Sequence, residues 1–370
     1  MTRLLSGQET RGTLPHVGPD FIDQIDRDKL VGRGGAAFPT AMKWGAVADR
    51  SRGNAVIVVN GAEGEPRSLK DRHLMTERPH AVLDGAFTAA RVLRANRVIL
   101  YIGERHDGAR AAMLRALGER DEPESRRVSV ASAPARYVAG AETAAVHFLN
   151  DGVATPTTIP PYPFEHGVGG TPTLVQNVET LARIGLIARG TPADTVLVTA
   201  AGSVSRPGVV EVESRTRIGE AIRAAGGPSE TPRAVLVGGY FGTWYEPQVA
   251  WQLPLDHSVG LGCGVIGVLP SSRCPVCETA GIMRYLAGES SAQCGPCFFG
   301  LRALAEACMR IAEDRSDGRD LPRLHRWAAE VRGRGACKHP DGAVQFLSSA
   351  LDVFAREFAC HTHHALRQTA

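Results

Sequence analysis

Apolar residues dominate two short runs early in the chain, Ala55-Val56-Ile57-Val58-Val59 and Arg97-Val98-Ile99-Leu100-Tyr101-Ile102. Runs of this length, rich in β-branched residues and bounded by polar ones, predict strands buried on both faces. Between them, residues 80–95 place apolar side chains at helical spacing, and 108–120 repeat the pattern after the second run. A third strand is predicted over 127–132 and a helix over 137–150. Strand and helix in alternation predict an α/β layer built on a largely parallel sheet.

After residue 150 the periodicity stops. The stretch containing Pro160-Pro161-Tyr162-Pro163 and Gly167 to Gly170 is too long for a tight connection, and such loops are usually functional. A helix over 178–189 follows. Residues 193–250 then read as a small separate unit, with strands at 196–200 and 209–212 around Ser205-Arg206-Pro207-Gly208. A short helix over 218–225 is stopped by Gly226-Gly227, and a further strand lies at 234–237. From residue 278 the pattern is helical almost to the end, over 278–290, 297–314, 322–332 and 341–358. These divisions predict three domains, at about 1–190, 191–255 and 256–370, the last a four-helix domain.

Composition narrows the class. Of 370 residues, 43% are hydrophobic and 22% charged, which excludes a disordered chain. Lys+Arg 42 against Asp+Glu 39 leaves +3, too balanced for a general nucleic-acid binder. No apolar run approaches the ~20 residues that span a bilayer. The opening Met1 to Gly7 turns polar too soon for a secretory signal, so the expected location is the cytoplasm. All eight cysteines lie between Cys263 and Cys360. In a cytosolic chain that segregation points to metal ligation or redox chemistry rather than a disulfide framework.

Three further segments carry candidate chemistry. Gly32-Arg33-Gly34-Gly35-Ala36-Ala37-Phe38-Pro39 is a glycine-rich loop entering a short helix near Lys43, where backbone N–H groups can approach a phosphate or a flat ring. It follows a helix rather than a strand, so it is not a dinucleotide fingerprint; a tight packed turn is the equally weighted structural reading. Asn60 ends a predicted central strand, where open α/β sheets place ligands, with Glu63 and Glu65 flanking it. A solvated acidic turn is the alternative there. The segments Tyr137 to Thr143, Pro160 to Pro163, and Gln176-Asn177-Val178-Glu179 are by themselves loop and helix-cap chemistry.

In order and spacing, from about residue 30 to 345, these motifs resemble the flavin- and NADH-binding subunit of respiratory complex I and its relatives in soluble NAD-linked hydrogenases and formate dehydrogenases. The resemblance implies an α/β flavin-binding domain, a β-grasp domain of the soluble-ligand-binding type at about 193–250, and a helical iron–sulfur domain. Gly32, Gly34, Gly35, Lys43, Asn60 and Asn177 match positions that contact FMN; Phe38, Glu65 and Glu142 match positions lining the nicotinamide pocket. Tyr162 stands for a stacking phenylalanine. The family's cluster motif, three clustered cysteines and a fourth about forty residues on, is matched by Cys294, Cys297 and Cys337, with Ser291 in place of the first cysteine.

The implied cofactors are FMN, a [4Fe–4S] cluster and NADH. The implied partners are a thioredoxin-like [2Fe–2S] subunit or a ferredoxin within a larger redox complex. The fourth cluster ligand stays open between Ser291, His339 and Cys360; an empty site or a zinc ion are the alternatives. The Cys360 to His364 tail reads as a frayed terminus rather than a metal site. Ile159 replaces a lysine that helps bind the dinucleotide, and Ala46 falls where an adenine-clamping aromatic is expected. Ala62, Ala141 and Gln176 replace more polar or differently shaped residues. Two other functions therefore stand beside NADH oxidation: a flavin/iron–sulfur relay that does not use NADH, and a non-catalytic assembly subunit.

Overall fold

The computed structural model describes residues 4–5, 14–191, 194–256 and 260–368, with side chains as far as 362. The opening segment read against a secretory signal, apart from Leu4 and Leu5, and the side chains of His363 and His364 lie outside the described residues. The chain forms two compact units, Met1–Thr199 with Val209–Ser214, and Ala200–Gly208 with Arg215–Ala370.

The first unit begins with α1 (Phe21–Arg27), α2 (Thr40–Ser51), β1 (Ala55–Gly61), α3 (Lys70–Glu77) and α4 (Pro79–Val92). It continues through β2 (Ala95–Gly103), α5 (Asp107–Gly118), β3 (Val128–Ala133), α6 (Glu142–Asp151), β4 (Thr173–Asn177) and α7 (Val178–Ala188). Pro79 opens α4 at a position where its missing N–H has no partner to lose. Gly152, left-handed at φ 74°, closes α6 and returns its N–H to the Phe148 carbonyl. The helix predicted over 137–150 is broken at Ala141: Tyr137–Gly140 is a separate 3-10 turn.

Four strands run in the order β3-β2-β1-β4, and each neighbouring pair is parallel. Alternate β1 residues enter opposite cores. Ala55, Ile57 and Val59 pack with Leu83, Phe87 and Leu181, whereas Val56 and Val58 pack with Ile99, Tyr101 and Val175. That two-sided burial is why the run is continuously apolar, each such side chain contributing ~1.5–3 kcal/mol. Helices α4 and α7 meet so closely that a Cβ on Gly85 would stand 1.7 Å from the Leu181 carbonyl oxygen. From β1 the chain lays β2 and β3 to one side and then β4 to the other. In open α/β sheets the crevice that takes a ligand lies at such a reversal, here at the carboxyl ends of β1 and β4. Strand β4 is legible only in the fold: its five residues read as loop and cap in the sequence.

The division between units falls within β5 (Thr195–Gly202) and at the start of β6 (Gly208–Glu213). The second unit then holds α8 (Ile218–Ala224), β7 (Pro232–Val237), β8 (Thr243–Tyr245), α9 (Pro247–Ala250) and β9 (Val265–Pro270). Strand β7 lies antiparallel between β8 and β9. Five helices follow, α10 (Pro275–Gly288), α11 (Arg302–Ala312), α12 (Asp320–Val331), α13 (His339–Val353) and α14 (Ala355–Gln368). The last predicted helix is two, because the backbone breaks at Phe354. Trp244 of β8 ties strands to helices: its N–H donates to Ser349 Oγ at 3.0 Å and its ring packs edge-on against Phe354. Among the described residues no helix is long and apolar enough to cross a membrane.

Candidate functional site

Asn60 and Asn177 are register partners, the last paired residues of β1 and β4 at the mouth of the crevice. Asn177 caps α7, its Oδ1 accepting the Glu179 N–H at 3.0 Å while its Nδ2 donates to Asp71 Oδ2 at 2.7 Å. Asn60 donates to the Gly140 carbonyl at 2.9 Å and accepts the Ala62 N–H at 3.3 Å. The break at Ala141 thus has a use. It leaves the 3-10 turn free to aim a carbonyl at the strand end.

The glycine loop lies beside this pair. Val31 and Pro39 bridge antiparallel, and Gly32 donates its N–H to the Phe38 carbonyl at 2.9 Å, closing the loop on itself. Arg33 N–H donates to Thr180 Oγ1 at 2.9 Å, which pins the loop to the first turn of α7. A Cβ on Gly34 would lie 3.5 Å from Asn177 Cβ, and Gly35 takes φ 110°, a conformation that favours glycine. Gln176 is buried next to Gly32 and its Oε1 has no hydrogen-bond partner. A buried orphan acceptor costs ~1–3 kcal/mol unless a ligand donor satisfies it. The imide N–H of a flavin ring is such a donor, so the residues present fit that group.

Lys43 of α2 donates to the Val175 carbonyl at 2.7 Å and stands 3.0 Å from Glu142 Oε2. Phe38 is half exposed at the loop's end. Glu65 is buried, accepting the Arg67 N–H at 3.3 Å and the Tyr137 hydroxyl at 3.2 Å. Gly64 permits that approach: a Cβ there would sit 2.6 Å from the Tyr137 carbonyl. Glu63 is not a solvated turn residue. It is left-handed at φ 43°, and its buried carboxylate accepts from Ser68 Oγ, the Asp71 and Arg72 amides and Arg72 Nε at 2.7–3.0 Å. It therefore anchors the start of α3.

Beneath the crevice lies a buried charge network that the sequence reading misses. Lys70 is 2.5 Å from Asp71 and 3.1 Å from Glu179, whose Oε1 also receives Arg183 at 3.0 Å and the Leu197 N–H at 3.2 Å. Burial would raise the Glu179 carboxyl, but Lys70, Arg183 and Arg33 outweigh it and hold it down at about 2. Burial likewise opposes the charge on Lys70, yet Asp71 and Glu179 keep its ammonium charged well above its usual range. Asp71 moves the other way, lifted to about 6 by burial and by Glu63 against the pull of Lys70. The two central partners lie on separate helices, α3 and α7, so no local pattern pairs them.

At the far loop Tyr162 stacks on Phe164, with centroids 5.1 Å apart and planes 7° from parallel, and the Arg50 guanidinium sits 4.9 Å over Phe164. Ile159 is half exposed nearby in sequence, and Ala46 lies on α2.

In the second unit Cys294, Cys297 and Cys337 are mutual electrostatic neighbours. Burial first, then the sulfurs of Cys294 and Cys337, pushes the Cys297 thiol up to about 12. Cys337 is raised by burial and Cys294, against a hydrogen bond from the His339 amide. Three soft donors that repel one another as thiolates fit an iron–sulfur cluster, whose positive iron relieves that repulsion. Ser291 lies on the same loop, donating to Gln293 Oε1 at 3.2 Å. His339 is held by the Leu286 carbonyl at 2.8 Å through Nε2. Cys308 is buried within α11. Cys274 and Cys277 start α10, the opposite end of a 14-residue helix from Ser291, about 20 Å at ~1.5 Å per residue. Among the described residues no three His, Cys, Asp or Glu side chains form a single-ion site.

Comparison with known proteins gives three matched regions. Residues 25–186 match the Nuo51 FMN-binding domain, 197–239 an SLBB domain, and 278–361 the NADH-ubiquinone oxidoreductase-F iron-sulfur binding region. The F 2 subunit of the NADH-quinone oxidoreductase of Rhizobium meliloti is 29% identical over 95% of this chain and 91% of its own length. The corresponding F subunit of Salmonella typhimurium is 30% identical over 94% of this chain and 86% of its own. A crystal structure of NAD+-reducing [NiFe]-hydrogenase in the H2-reduced state superposes with TM-score 0.84 and 30% identity, over 93% of this chain. The match spans 63% of that hydrogenase chain.

Proposed function

The chain belongs to the family of NADH-quinone oxidoreductase F subunits, and from that premise we propose that it oxidises NADH through FMN and passes the electrons to a [4Fe–4S] cluster and a partner protein. The observation that carries this is the paired Asn60 and Asn177 at the β1/β4 switch point, beside the glycine loop and the orphaned Gln176 acceptor. FMN, when bound, supplies two-electron acceptance and one-electron release, which NADH and a cluster each need from it.

The residues around it have distinct tasks. Gly32, Gly34 and Gly35 offer a flat approach, and Gln176 accepts from the ring edge. Asn60, Asn177 and Lys43 fix the crevice walls. Phe38, Glu65 and Glu142 line the side on which the nicotinamide enters, and Tyr162 offers a stacking face. Glu63 supports the site from below by anchoring α3. Cys294, Cys297 and Cys337 hold the cluster, with the fourth ligand drawn from Ser291, His339 or Cys360. Residues 191–255 are assigned to a β-grasp module whose β7 also pairs with β9 (Val265–Pro270), and the helices of 256–370 to the iron–sulfur domain. The partner is a thioredoxin-like [2Fe–2S] subunit or a ferredoxin in a larger cytoplasmic redox complex.

A second reading, a flavin/iron–sulfur relay without NADH, is favoured by Ile159 and Ala46, which remove a cation and a stacking face from the dinucleotide side. Anaerobic purification followed by an inventory of flavin, iron and sulfide tests both. Flavin bleaching on addition of NADH supports the first reading. A flavin-loaded protein that stays yellow at millimolar NADH establishes the relay, and a colourless protein without iron leaves the assembly role.

A further inference from the structure

Cys274 and Cys277 take no part in the flavin crevice or the three-cysteine site, yet they are not isolated thiols. Cys274 is the N-cap of the 14-residue helix α10, and its sulfur accepts the Cys277 N–H at 3.4 Å. Its Sγ also meets His361 Nε2 at 3.5 Å. On the other side of that imidazole, Nδ1 lies 3.2 Å from Asp314 Oδ1. The imidazole therefore lies between the thiol and the carboxylate, with a second cysteine one helical turn from the first. Cys277 is exposed, its Sγ 4.0 Å from the Ala312 carbonyl.

We propose that Cys274 and Cys277 form a redox-active dithiol–disulfide couple, with Cys274 the attacking thiolate, His361 its proton acceptor held by Asp314, and a disulfide as oxidant. Cys274 sits at the N-terminus of α10 with the Cys277 amide on its sulfur, and His361 Nε2 stands within reach of its proton. Cys277 is placed as the resolving thiol. Partial burial, then Cys274 and Asp314, pushes it up to about 11, so it stays protonated at neutral pH.

The chemistry balances without a metal. The Cys274 thiolate attacks one sulfur of the oxidant, forming a mixed disulfide as the oxidant's S–S bond breaks; the departing thiolate takes the proton held by His361. Cys277 then loses its proton to solvent and attacks Cys274 Sγ, closing the intramolecular disulfide and expelling a second thiolate, which takes a proton from solvent. Two electrons leave the cysteine pair and the oxidant becomes two thiols. This inference is independent of the flavin, because every group lies within residues 274–361 and the readout is mass.

The test uses anaerobically purified protein with its cofactors, equilibrated in glutathione redox buffers and, separately, with an oxidised CxxC protein. Peptide mapping after alkylation is expected to show loss of the Cys274 and Cys277 thiols together, joined as one disulfide. Reaction with glutathione disulfide alone identifies a small-molecule oxidant, and reaction with the protein alone identifies a protein one. Cys277→Ser is expected to trap glutathione on Cys274, and His361→Gln to slow that reaction at neutral pH at least tenfold. No disulfide with either oxidant, trapping on residues other than Cys274, or one zinc per chain lost in Cys274→Ser overturns the proposal.

Discussion

The Lys43 ammonium bridges two parts of the flavin unit, donating to the Val175 carbonyl at 2.7 Å while resting 3.0 Å from the Glu142 carboxylate. One contact ties α2 to the middle of β4 and the other ties it to the start of α6, so a single side chain links three elements around the site. Lys43→Ala is expected to weaken FMN binding by roughly ten- to a hundredfold, since a charge-assisted hydrogen bond is worth ~1.5–3 kcal/mol and ~1.4 kcal/mol is tenfold. Titration of the apoprotein with FMN, followed by flavin fluorescence, measures it. Unchanged affinity would place the flavin away from α2.

Asn60 holds the opposite wall through the Gly140 carbonyl and the Ala62 amide. Asn60→Ala leaves that carbonyl unpaired and lets the 3-10 turn move. Flavin is expected to be released on gel filtration, with the circular dichroism of the fold retained. Full flavin occupancy in the variant would show that the crevice does not hold the ring.

Glu179 makes stability depend on acid in a defined window. Its folded carboxyl is held at about 2, below the 4.5 of an ordinary glutamate, so its contribution is complete above 4.5 and disappears as the pH falls towards 2. Urea unfolding at a series of pH values should show the midpoint falling across that interval. Glu179→Gln leaves Lys70 and Arg183 buried without their shared anion, at a cost of ~3–5 kcal/mol, and should flatten the acid limb. A variant as stable as the parent at neutral pH would mean that the network is neutral on balance.

Cys297 is the buried member of the three-thiol group. Cys297→Ser is expected to abolish the broad iron–sulfur absorbance and bound sulfide while flavin content stays unchanged. Retention of the cluster would assign its ligands elsewhere among the eight cysteines.

Ile159 is half exposed on the loop that carries Tyr162. Restoring a cation there with Ile159→Lys is expected to tighten NADH about tenfold, from ~1–2 kcal/mol of added pairing with a phosphate. The NADH concentration for half-maximal flavin bleaching reads it directly. No change would locate the dinucleotide away from this loop.

The sequence by itself determined the class of chain, the first three strands, the glycine loop and the cysteines grouped at one end. Each is written in local order, as an apolar run, a cluster of small residues or a short spacing. The order of motifs carried the family resemblance for the same reason. It did not reveal β4, whose five residues become a strand only because β1 offers them a parallel partner. Nor did it reveal that Glu63 anchors α3, that Lys70 meets Glu179, or that Cys274 meets His361 across most of a domain. The last two join residues far apart in the chain, and even the first needs a loop to fold back on its helix, since a buried charge is stable only where its partners are brought to it. Periodicity records which face of an element turns inward; which partner waits there is decided when the elements pack.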